Sequence, residues 1–102
     1  MSLQILQIVF KYGVSAAEYK RAVSPMGDDI AAVPGLRWKI WIINEVESES
    51  GGIFLFDDEA AVQAFLEGPV AAQVTTHPAL SDFSVKQFDV MEAETAVTRG
   101  PI

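Results

Sequence analysis

Lys39 and Lys86 fall inside stretches that alternate like β-strands, where a lysine needs an outlet. Such an ammonium either snorkels, with its stem packed and its head in water, or it anchors an anionic ligand such as a phenolate. Trp41 stands two residues from Lys39 and offers a π face, for stacking a substrate or for packing an interface. Trp38 reads as core, with an indole N–H that still needs an acceptor. Tyr12 and Tyr19 carry hydroxyls able to donate to a substrate oxygen. His77, the sole histidine, is the one group whose unperturbed pKa lies near neutrality. It precedes Pro78 at a helix end, where a cation complements the dipole, and that reading explains it without catalysis. The candidates for chemistry are therefore Lys39, Trp41, Tyr12 and His77. Those for binding a small aromatic or apolar molecule are Trp38, Trp41, Phe54, Phe56 and Lys86.

Other chemistries find no pattern. There is no cysteine and no H-E-x-x-H spacing, so neither a thiol nor a metal site is expected. A G-x-S-x-G elbow, a P-loop and a G-x-G-x-x-G run are also missing. Asp57-Asp58-Glu59 reads as a helix start and Glu45, Glu47 and Glu49 as a solvated hairpin. A net charge of −7 opposes binding to nucleic acid or to an anionic membrane surface. No apolar run approaches the ~20 residues that span a bilayer. The start shows no basic, signal-like region, which makes a cytoplasmic protein the expectation. The 102 residues suffice for one domain with one core, 1–102.

The elements that must position these side chains can be read in order. Leu3–Tyr12 alternates, with Leu6, Ile8, Phe10 and Tyr12 on one face. Ser15-x-x-Glu18 matches a capping box, and Tyr19, Val23, Met26 and Ile30 continue at helical spacing. Pro25 should break or kink that helix. After Pro34-Gly35 a second strand runs from Leu36 to about Val46, and Asn44–Gly52 forms an acidic hairpin tip. The third strand is Gly52–Phe56. A helix with Val62, Phe65 and Leu66 buried follows, broken at Gly68-Pro69 and resumed over Val70–Val74. The fourth strand spans Phe83–Met91, and 93–102 reads as an extended tail that either reaches over a partner subunit, with Val97 and Ile102 as anchors, or is mobile.

The order βαββαβ predicts an α+β, ferredoxin-like fold, with a four-stranded antiparallel sheet and both helices on one face. Strict alternation in the second strand puts Leu36, Trp38, Ile40 and Ile42 toward the helices. Arg37, Lys39, Trp41 and Ile43 then fall on the bare face, which Phe54 and Phe56 are expected to join. An apolar face of that kind needs a cover, and a symmetric homodimer supplies one.

Pro34-Gly35-Leu36-x-Trp38-Lys39-x-Trp41, then Gly51-Gly52-Ile53-Phe54-Leu55-Phe56 and an acidic helix start, resembles the YdhR-type monooxygenases. The likeness extends from Leu6-Gln7-Ile8 to Lys86-x-Phe88-Asp89-Val90. That group belongs to the dimeric α+β barrel superfamily, with the antibiotic-biosynthesis monooxygenases. The resemblance implies a homodimer with a pocket between each sheet and its helices, or in the barrel. It also implies oxygenation of an aromatic substrate by O2 with no metal, flavin or other cofactor. The superfamily contains haem-degrading and purely binding members as well, so a non-catalytic binding module and a haem-binding protein are the alternatives.

Overall fold

The computed structural model describes residues 2–102. Strand β1 (Gln4–Tyr12) leads through a Ser15-capped turn into α1 (Ala16–Val23). The Ser15 hydroxyl accepts the Glu18 N–H at 3.1 Å, the first half of the expected capping box. Pro25 acts as anticipated. A 3₁₀ turn over Ser24–Met26 separates α1 from α2 (Gly27–Ala31).

Strands β2 (Leu36–Asn44) and β3 (Glu49–Phe56) form the hairpin. Its tip is tighter than the sequence suggested, because Asn44 already pairs with Glu49. Helix α3 (Glu59–Leu66) is capped by Asp58, whose carboxylate accepts the Ala61 N–H at 2.9 Å. Then come α4 (Pro69–Thr75), started by Pro69 after Gly68, and β4 (Leu80–Asp89).

The sheet order is β2-β3-β1-β4, every neighbouring pair antiparallel. This is the ferredoxin-like arrangement the element order predicted. Helices α1–α4 cover one face. Leu6, Phe54 and Phe56 pack there against Ile30, Val62, Phe65 and Ala71, with Leu36 at the margin. A second cluster joins Phe10 and Tyr12 to Tyr19, whose ring stacks on Tyr12 at 4.7 Å. No helix among the described residues is long and apolar enough to cross a membrane.

The alternation of β2 breaks at its start, and this inverts the face assignments made from sequence. Leu36 pairs with Phe56, but the next cross-strand pair is Trp38 with Leu55, so Arg37 is an extra residue. A bulge of one residue moves every later side chain to the opposite face. Lys39 and Trp41 therefore share the helix-side face with Phe54 and Gly52, while Trp38, Ile40 and Ile42 point the other way. Phe54 and Phe56 are core residues under the helices, not residues of the bare face. The Arg37 guanidinium, displaced by the bulge, pairs with Asp57 at 2.6 Å.

The C-terminal segment also departs from expectation. Glu92–Val97 is a helix, α5, where an extended tail was predicted. The chain then folds back on its own sheet, and the Trp38 indole N–H donates to the Pro101 carbonyl at 2.6 Å. That is the acceptor the indole required.

Gly51 lies where β3 leaves no room for a side chain beside β1. Its φ is 156°, and a Cβ there would overlap the Ile8 carbonyl in the neighbouring strand. Gly51→Ala should cost about 3 kcal/mol or more, since neither backbone can retreat within a paired sheet. A urea midpoint equal to the parent's would contradict this close contact.

Candidate active site

A cavity of about 280 Å³ lies between the helix-side face of the sheet and the helices. Ile8 and Phe10 of β1, Gly52 and Phe54 of β3, and Phe83 and Val85 of β4 form its floor. Tyr19, Val23 and Met26 on one side and Phe65, Val70 and Val74 on the other form its roof. These side chains lie between the helix-facing side of the sheet and the helices, so the cavity is a gap left in an otherwise apolar interior. Its size is near the lower end of the ~300–1,000 Å³ usual for small-molecule sites, which suits a compact ligand.

One cation enters this apolar space. Lys39 sits mid-strand on β2, and its Nζ lies 3.4 Å from the centroid of the Trp41 ring and 4.7 Å from that of Phe54. The two aromatic faces hold the ammonium by their quadrupoles, and no carboxylate of the described residues pairs with it. Gly52 makes this pose possible. A Cβ at that position would collide with Lys39 Cε and stand 3.3 Å from Nζ. Burial away from water disfavours the charged form and lowers the Lys39 pKa from 10.5 to about 8.

Tyr19 belongs to the wall but has a committed hydroxyl. The Ser50 hydroxyl lies 2.8 Å from it and 2.7 Å from the Ile42 carbonyl. A carbonyl only accepts, so the Ser50 proton goes to Ile42 and Tyr19 donates to Ser50. Burial pushes the Tyr19 hydroxyl up, Ser50 opposes this less strongly because its hydroxyl can turn to donate to a phenolate, and Tyr12 adds to the rise. Tyr19 thus remains a neutral, structural donor. At the mouth stand Glu18, Gln73 and His77. The His77 Nδ1 accepts the Ala79 N–H at 3.1 Å, which leaves Nε2 to carry the proton of the neutral ring.

The structure brings together Lys39, Trp41, Phe54 and His77 of the residues nominated from sequence. It does not bring in the others. Tyr12 is buried in the second core cluster, and Phe56 packs beneath α3. Trp38 and Lys86 lie on the outer face, where Lys86 pairs across strands with Gln7 and is exposed. Sequence reasoning missed Gly52 as the residue that seats Lys39. The Gly51-Gly52 pair was read as a hairpin turn, although glycine within a strand also signals a close approach. Among the described residues no group of three or more His, Asp or Glu side chains could hold a metal ion.

Several solved structures share this architecture. The chain resembles SnoaB, a cofactor-independent oxygenase from Streptomyces nogalater, with a TM-score of 0.72 and 17% identity over 88% of this chain and 94% of that one. It resembles the haem degrader MhuD of Mycobacterium tuberculosis, seen with two haems in its active site. That match has a TM-score of 0.66 and 17% identity over 85% of this chain and 95% of that one. A dimeric ferredoxin-like protein of unknown function from Thermobifida fusca matches with a TM-score of 0.66 and 19% identity, over 88% and 93% of the two chains. At these identities the likeness establishes the fold. No curated protein matches the chain in sequence. The family model described as "Putative mono-oxygenase ydhR" matches residues 5–101. The match spans both strands that carry Lys39, Trp41 and Phe54 and the helices that roof them, and the chain belongs to the ydhR mono-oxygenase family.

Proposed function

We propose that this protein is a cofactor-independent mono-oxygenase that acts on a small, electron-rich aromatic molecule in the cavity between sheet and helices. The observation that carries the reading is the lone ammonium of Lys39 in an aromatic, otherwise apolar space. A hydroxy-aromatic ligand placed there would lose its proton more readily, because a positive charge in a low-dielectric site stabilises the anion. The anion is the reductant. It passes electrons to O2, one oxygen atom forms the new carbonyl and the other leaves as water. An anthrone thus consumes one O2 and yields one anthraquinone and one water.

The same reading takes 1–102 as one cytoplasmic domain acting as a homodimer. Its support is the outer sheet face, where Ile40 is 51% and Phe88 48% exposed, and the dimeric state of the Thermobifida fusca neighbour. The partner sheet would pack there, leaving the cavity open on the opposite side of its own sheet.

The test is O2 uptake by the protein with an anthrone or a dihydroquinone, in chelator-treated buffer without flavin or nicotinamide. Quinone should form faster than in the protein-free reaction, in step with O2 consumed. Tight binding without turnover would make the protein a binding module. Neither binding nor turnover would remove the reading altogether.

A further inference from the structure

We propose that Lys39 is also a nucleophile, an amine that condenses with aromatic aldehydes entering the cavity to form an imine at Nζ. The position of the amine supports this. Nζ lies on the cavity wall, 3.4 Å from the Trp41 ring centroid, where a planar aromatic aldehyde would be held between Phe54 and the apolar roof. No carboxylate holds the ammonium in its charged form, and Gly52 clears the space its terminal carbons occupy. A lysine desolvated in an apolar pocket is an activated amine.

The other lysines differ. Lys11 lies by Glu47 and Glu49 at 4.0 and 3.9 Å, and Lys20 pairs with Glu45 at 3.2 Å. Lys86 is on the outer sheet face, away from the cavity. Burial supplies the neutral form that attack requires. With its pKa at about 8 instead of 10.5, the share of free amine at neutral pH is on the order of a hundredfold larger.

The chemistry balances without an oxidant or reductant. The amine lone pair attacks the carbonyl carbon, and one of the two amine protons passes to the carbonyl oxygen to give a carbinolamine. The hydroxyl then leaves with the remaining proton of nitrogen as one water, and C=N is left. A protonated imine retains positive charge, so the Trp41 face stabilises the product as it does the ammonium. This reactivity is separate from oxygenation and does not depend on it.

The full-length chain is incubated with benzaldehyde and cyanoborohydride under nitrogen, then digested with a Glu-specific protease and mapped. The reductant converts any imine to a stable benzyl amine, and mapping separates Lys39 from the α-amine. Lys39 should gain the benzyl group roughly tenfold faster than Lys20 or Lys86, after allowance for the weaker nucleophilicity of a less basic amine. Excess toluene should slow labelling at Lys39 and leave the exposed lysines unchanged. Labelling of Lys39 no faster than the exposed lysines would overturn the proposal. So would Lys39 labelling that toluene does not slow. Because O2 is excluded, a failure of oxygenase activity would leave a positive result standing.

Discussion

Lys39→Met is expected to melt at a higher temperature than the parent while losing most of its substrate-dependent O2 uptake. Both effects come from one buried charge. In the unfolded chain a lysine holds its proton with a pKa near 10.5, and in the fold burial lowers this to about 8. The unfolded state therefore binds the proton more tightly, and below about pH 8 the folded protein bears the full cost of an under-solvated ammonium. The cost is relieved as pH rises from about 8 to about 10.5, so the parent gains stability across that window.

A neutral methionine of similar length avoids the cost. After discounting for partial solvent contact and for the lost interaction with Trp41, the gain is on the order of 1–2 kcal/mol, or several degrees in melting temperature. The advantage should be largest at neutral pH and shrink toward pH 10. Activity moves in the other direction, because no cation remains to stabilise the substrate anion. A loss of about a hundredfold in kcat/KM corresponds to one removed electrostatic contact in a dry site. In the parent, kcat/KM should decline above about pH 8 as Lys39 discharges. A variant that melts lower at neutral pH, or whose advantage does not shrink in alkali, would refute the buried-charge account. Retained activity would remove Lys39 from the reaction while leaving the stability argument intact.

The second large effect concerns assembly. Ile40→Glu should convert a dimer of twice the chain mass into monomer in sedimentation velocity at micromolar concentration. Ile40 projects from the outer face, and twofold symmetry would bury two unpaired carboxylates in one interface. Stranding a charge costs about 3–5 kcal/mol, so the dimer should weaken by at least roughly a thousandfold. Trp41→Ala supplies the contrast. Its ring faces the cavity side, so that change should impair substrate handling and leave the dimer in place. A monomeric parent would dispose of the proposed interface. An unaltered Ile40→Glu dimer would move it to another surface.

The reversal of Trp38 and Trp41 shows where sequence reading meets its limit. Periodicity in β1 identified Leu6, Ile8, Phe10 and Tyr12 as one inward face, and the structure places them there. The same rule applied to β2 gave the wrong answer for every residue after Arg37. Alternation carries a face assignment only while no residue is inserted, and nothing in Leu36-Arg37-Trp38 distinguishes a bulge from a regular strand. Trp38 and Trp41 are of one residue type, so composition could not correct the register.

By itself the sequence determined the order of elements, the break at Pro25, the Ser15 cap and the antiparallel α+β sheet. These follow from local properties: proline removes a donor, a hydroxyl satisfies a free amide, and apolar spacing matches the period of helix or strand. It also singled out Lys39, Trp41, Phe54 and His77 as residues with chemistry to offer, but by type and not by place. Only the tertiary structure decided that these four border one cavity while Tyr12, Trp38, Phe56 and Lys86 do not. It likewise turned the expected tail into α5 and gave the Trp38 indole its acceptor at Pro101. The reason is physical: a cavity is defined by side chains from distant strands and helices, and one residue of cross-strand register decides which of them face it.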